Sequence, residues 1–173
     1  MGLLDSVSDV LKHYAGGATA NTANAADHFD KVAQAVPQDT IADGLSAVFR
    51  SNQTPAFGNI VGSLFSQSNG EQKAGLLNHL LSSVGPGALS QFPGGGALAS
   101  LLGGGATTIS PEQAQNVSPE LVQQVASHAE KTNPSIVDRA SAFYAQHPGL
   151  VKTLGGAALS IALARVAQRQ RAA

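Results

Sequence analysis

Large apolar side chains recur at intervals of three and four residues through most of this chain, a spacing that gives a helix one apolar face and a strand none. Phe57, Ile60, Val61, Leu64 and Phe65 fall at i, i+3, i+4, i+7 and i+8. Leu76, Leu77, Leu80, Leu81 and Val84 repeat the pattern one segment later, and Ile41, Leu45, Val48 and Phe49 show it one segment earlier. Short connections such as "SNG" at 68–70 favour antiparallel neighbours packed face to face. The pattern "LLNHLL", residues 76–81, also matches helices that dock in partner grooves, but core packing is the expected use of a leucine stripe.

Helix starts are legible from local chemistry. Ser110-Pro111-Glu112, Ser118-Pro119-Glu120 and Asn133-Pro134 each set a capping side chain before a proline that suits a first turn. Val117 and Val122 stand at the positions of a hydrophobic staple, and Thr54-Pro55 is expected to open the helix carrying Phe57. Leu3, Leu4, Val7, Val10, Leu11 and Tyr14 mark an amphipathic helix that Gly16-Gly17 stops. Between 85 and 105 lie eight glycines, with Leu89, Phe92, Leu98, Leu101 and Leu102 among them; this segment is expected either to be mobile or to dock through those apolar residues.

The stretch "GLVKTLGGAALSIALARVAQRQR", residues 149–171, is the most apolar of the chain. Only twelve uncharged residues separate Lys152 from Arg165. That is about 18 Å of helix against a bilayer core of about 30 Å, too short for a simple span. Read as one helix, it places Leu150, Leu154 and Ile161 on one side and Leu159, Leu163 and Val166 on the other. A stripe of small residues, Thr153, Gly156, Ala157, Ser160 and Ala164, runs between them. Such a helix is expected at the centre of a bundle or at an oligomer interface.

The chain has 173 residues, 43% apolar, and is expected to fold as one all-α helical bundle with a Gly-rich internal linker and a hydrophobic C-terminal helix. Its expected parts are an amphipathic helix at 1–15, a linker at 16–26, a helical segment at 27–84, the Gly-rich linker at 85–108, a second helical segment at 109–147, and the C-terminal helix with its basic tail at 148–173. The expected core includes Ile41, Leu45, Phe49, Ile60, Leu64, Phe65, Leu77, Leu81, Val125, Ile136, Val137 and Phe143.

Charge is sparse, at 12% of residues against about 25% in an average domain, which favours self-association or apolar partners. It is also uneven. Residues 1–138 hold eleven acids and five bases, whereas 139–173 hold five bases and no acid. The tail is therefore expected to meet an acidic surface of the same fold or an anionic partner. Absence of cysteine removes disulfides and thiolate zinc sites. The five histidines never fall four apart, and the glycines lack the spacing and lysine of a phosphate loop, so no metal and no cofactor is expected. Asp27-His28-Phe29-Asp30 sets acids beside an imidazole, but neighbours on a helix point apart, and a solvated or capping cluster is expected there. Arginines without interleaved aromatics give no platform for nucleic acid.

The opening "MGLLDSV", the Leu/Gly-rich middle and "VSPELVQQV" followed by "NPSIVDRAS" resemble the bacterial YidB-like family of small helical proteins over about residues 1–147. The shared late element is Pro134, Ser135, Ile136, Val137 and Asp138. The chain departs from the family pattern at "AFYAQHPGL" and in its added final helix. The resemblance implies an all-helical fold and carries no reaction and no site residues.

These features lead to the expectation of a non-enzymatic helical protein that acts through apolar helix faces, with a protein partner or a homo-oligomer. Leu3, Leu4, Val7 and Leu11, with Gly156 and Ser160, are the expected association residues, and Arg165, Arg169 and Arg171 the expected contacts to an anionic surface. The alternatives are a membrane-peripheral or tail-anchored protein using its C-terminal helix, and an enzyme with a site that no motif reveals. The start has no basic region followed by an apolar run and a cleavage site, so a cytoplasmic chain is expected, with membrane association as the alternative.

Overall fold

A computed structural model describes residues 2–16, 22–103 and 106–172. Among them are twelve α-helices and no strand: α1 Leu3–Ala15, α2 Ala25–Ala35, α3 Gln38–Phe49, α4 Phe57–Gln67, α5 Gly70–Val84, α6 Pro86–Leu89, α7 Gly95–Leu101, α8 Pro111–Gln115, α9 Pro119–Thr132, α10 Ser135–Ala145, α11 Pro148–Val151 and α12 Gly156–Ala172. The all-α expectation is met. The expectation of a single domain is not, because the chain divides into two compact units, Met1–Thr54 with Ser141–Ala173, and Pro55–Ala140. The segments 27–84 and 109–147 each contribute to both. Of the 16–26 segment, 17–21 lies outside the described residues, Thr22–Asn24 is a 3-10 turn, and α2 begins at Ala25.

In the first unit α12 is the element the others pack on. It carries Ala158, Leu159, Ala162, Leu163, Val166 and Ala167 into the core and meets α1, α2 and α3. The approach of α3 is close. A Cβ added at Gly44 would stand 2.9 Å from the Ala162 carbonyl oxygen and 3.0 Å from Val166 Cγ2, so the two backbones meet where no side chain intervenes. Polar contacts complete the unit: the Tyr14 hydroxyl bonds His28 Nδ1 at 2.9 Å, Ser46 Oγ donates to Ser141 Oγ at 2.9 Å, and Lys152 Nζ pairs with Asp30 at 2.8 Å. The sequence Asp27-His28-Phe29-Asp30 thus fixes α2 in three directions, with Phe29 fully buried between its polar neighbours.

The apolar stretch 149–171 is not one helix. It consists of α11, a 3-10 turn at Lys152–Leu154, a break at Gly155 and then α12. Gly155 has φ +89° and ψ 162°, a conformation essentially restricted to glycine. The break removes exposed Thr153 from the small stripe, and within α12 the stripe is only partly buried: Ser160 is buried, Gly156 and Ala164 are half-buried and Ala157 is exposed. The small residues buried on α12 are Ala158, Ser160, Ala162 and Ala167, and the glycine that permits close approach lies on α3.

In the second unit α4 and α9 cross with the same device. Gly58 and Gly62, one turn apart on α4, face Pro119, Gln123 and Ser127 of α9. A Cβ at Gly58 would lie 2.6 Å from the Gln123 carbonyl oxygen, and one at Gly62 would lie 3.1 Å from that of Pro119. Small residues four apart let helix backbones approach in this way. Against this pair α5 buries Leu76, Leu77, Leu80 and Leu81, so "LLNHLL" is core. Ser110 and Ser118 cap α8 and α9 through the Gln113 and Leu121 amides, and Val117 and Val122 are both buried. Within 85–108, Leu89 and Leu98 are buried and α6 and α7 form, while Phe92, Leu101 and Leu102 are half-buried.

Two local expectations are corrected. The Thr54 hydroxyl donates to the Val48 carbonyl at 2.6 Å and to that of Ser51 at 3.1 Å, closing the end of α3, and α4 starts only at Phe57 with Ala56 as its cap. Phe143 is half-exposed, against the His147 ring at 4.8 Å, whereas Tyr144, 100° round the helix, is fully buried beside Phe49.

Gly58→Ala is expected to destabilise the protein by about 1 to 3 kcal/mol, because the two helices must separate to admit the methyl group. Gly96→Ala, where nothing stands within 4 Å, is expected to be neutral or stabilising in the same urea titration. The two buried tyrosines should behave oppositely. Tyr14→Phe removes a hydrogen bond and should cost about 1 kcal/mol. Tyr144→Phe removes a buried hydroxyl that has no partner among the described residues, so stability should hold or rise.

Burial pushes both phenols above the ordinary value of 10.0. The folded state therefore holds those protons more tightly than the unfolded state. Their contribution is whole below pH 10.0 and is lost as pH climbs beyond it. Tyr144→Phe should accordingly raise the midpoint of alkaline unfolding, followed by circular dichroism.

Candidate functional site

Three of the six association residues expected from the sequence, Val7, Leu11 and Ser160, are buried inside the fold. Val7 and Leu11 are buried on the face of α1 that packs on α12 and α2, and so are closed to a partner in this arrangement. The side chains of Leu3 and Leu4 lie outside the described residues. Ser160 is buried and donates to the Gly156 carbonyl at 2.8 Å, one turn back, while Gly156 is half-buried as the first residue of α12. Of the three arginines, Arg169 pairs with Asp43 on α3, which is the acidic surface of the same fold. Arg165 and Arg171 are exposed. No group of three metal-ligating side chains gathers among the described residues, and no described helix is long and apolar enough to cross a membrane.

The recessed surface of the second unit is organised by α9. Its inner face buries Val122, Val125, Ala126 and Ala129. Its outer face carries the exposed Glu120, Gln124 and Lys131, within about 40° of one another on the helix, whereas half-buried Ser127 turns its hydroxyl toward Gly58 of α4. Ser118 caps this helix, Pro119 fits its first turn and Glu120 adds a negative charge at the positive end of its dipole. Lys131 answers the dipole at the far end.

Three depressions lie along this face. One of about 290 Å³ is floored by Ala97, Leu98, Leu101, Val117 and Leu121, with Glu120 as its only charged residue. A wider one of about 570 Å³ continues along α9 past Phe92, whose ring meets the edge of His128 at 4.8 Å, to Lys131. The third, of about 440 Å³, lies toward α4, between Gly62, Ser63 and Ser66 of α4 and Glu120 and Gln123 of α9. Gln123 is held by a hydrogen bond from its amide to Asn59. Glu120 borders all three depressions.

No family model, curated protein or solved structure matches the chain. The surface along α9 was not singled out by sequence reasoning. Its spacing is visible as Glu120, Gln124 and Lys131, but a polar stripe is the ordinary solvent face of an amphipathic helix. Only the tertiary placement of α4 and of the Phe92 segment gives it grooves.

Because the C-terminal break depends on one residue, Gly155→Ala should cost about 1 to 3 kcal/mol in thermal or urea unfolding. Gly156→Ala, inside the first turn of α12, should be neutral or better.

Proposed function

We propose that this chain is a non-enzymatic interaction protein whose apolar helix faces build its own two units and whose outer α9 surface binds another polypeptide. The observation that carries this reading is the polar face of α9 from Glu120 to Lys131, which lines one depression along its length and two more at its Glu120 end. Its shallow apolar floor on one flank, at Leu101 and Leu121, and its neutral amides and hydroxyls elsewhere suit a side chain inserted beside a hydrogen-bonding rim. The ionisable groups here, Glu120, His128 and Lys131, are strung along three turns of one helix instead of converging on a point where a reacting atom would sit. We also keep membership of the YidB-like family as a proposal; its support is the "GLLD" opening and Pro134 to Asp138.

The chain lacks cysteine, so a single cysteine can be placed at will. Gln124→Cys carrying a photo-crosslinker should give discrete protein adducts in cells, whereas Gln170→Cys, exposed on the far turn of α12, should not. Equal or absent adducts from the two positions would sink the reading.

A further inference from the structure

We propose that the outer face of α9 binds the same face of a second copy of this chain, with the two helices antiparallel. The inference rests on reading α9 as the interaction surface and names the partner. It comes from the order of charges along that face. Glu120 stands at one end, Lys131 at the other, and the neutral, exposed Gln124 lies between. The two charged residues are separated by about 16 Å of helix, and neither is in an ion pair among the described residues. A face with this order is complementary to itself only when one copy is reversed.

The register follows from the spacing. With the dyad between Val125 and Ala126, Glu120 falls opposite Lys131 of the second copy, twice by symmetry. A parallel pairing would instead set Glu120 against Glu120 and Lys131 against Lys131. Antiparallel placement also opposes the two helix dipoles, and the depression along this face, with the one toward α4 at its Glu120 end, leaves room for side chains of the second copy. Low overall charge elsewhere leaves little repulsion to hold copies apart.

The test is sedimentation equilibrium of the full chain at low salt with charge variants at the two ends. Wild type should form a reversible dimer. Glu120→Lys and Lys131→Glu, which each place like charges opposite twice per dimer, should weaken it by about tenfold or more. Glu120→Lys combined with Lys131→Glu should restore the affinity to within about threefold, because the reversed charges pair again. Moderate salt should narrow all of these differences. Glu120→Gln and Lys131→Gln, which leave helix capping and charge balance less disturbed, should each give a smaller loss and serve where a reversal unfolds α9. A dimer whose affinity ignores every one of these changes would overturn this register while leaving self-association intact. A chain that stays monomeric while Gln124→Cys still captures other proteins would overturn the second copy as partner and leave the α9 surface standing. A monomer with no adducts would remove both.

Discussion

The structure depends on helix backbones meeting without side chains between them. Gly44 lets α3 close on α12, and Gly58 with Gly62 lets α4 close on α9. Helices brought together this way gain dispersion contacts along their whole length, which matters in a chain with few aromatic residues to fill wider gaps. It also explains why alanines, at 158, 162 and 167 on α12 and at 126 and 129 on α9, form so much of the buried surface. Larger residues there would force the axes apart, and the leucines of the surrounding helices would lose their neighbours.

Once that spacing is set, the polar residues acquire definite work. In the first unit the short distances between elements bring Tyr14 to His28, Ser46 to Ser141 and Lys152 to Asp30, so α1, α3 and the turn before α12 are each tied to the helix they face. In the second unit the Gly58 and Gly62 contact seats α9 deeply on one side only. Its other face is left lining a depression beside the Phe92 segment, with another toward α4. The same contact that makes the core therefore also shapes the surface from Glu120 to Lys131.

Much of this was legible in the sequence, and the rest was hidden for identifiable reasons. Apolar spacing and the Ser-Pro starts at 110 and 118 located helices because these are local effects, decided within one or two turns. Eleven of the twelve expected core residues are buried, and Phe143 is not, because its neighbour Tyr144 competes for the same core. The C-terminal stretch misled because a single glycine at positive φ shifts the phase of every residue after it. Gly155 separates Leu150, Thr153 and Leu154 from the helix that carries Gly156, Ser160 and Ala164, so a face drawn through both sets does not exist. Conversely, Gly58 and Gly62 look in sequence like mere interruptions of a good helix. Their purpose shows only when α9, some sixty residues on, is seen against them. The outer face of α9 was illegible for the same reason, since a groove requires two elements.

Nuclear Overhauser contacts report the central claim directly. If the helices meet backbone to backbone, the Gly58 α-protons should show strong cross-peaks to the Ser127 β-protons, and the Gly44 α-protons should show them to a Val166 methyl group, in the folded full-length chain. Their absence, with the helices otherwise formed, would mean that side chains hold the helices apart and that the account of both units is wrong.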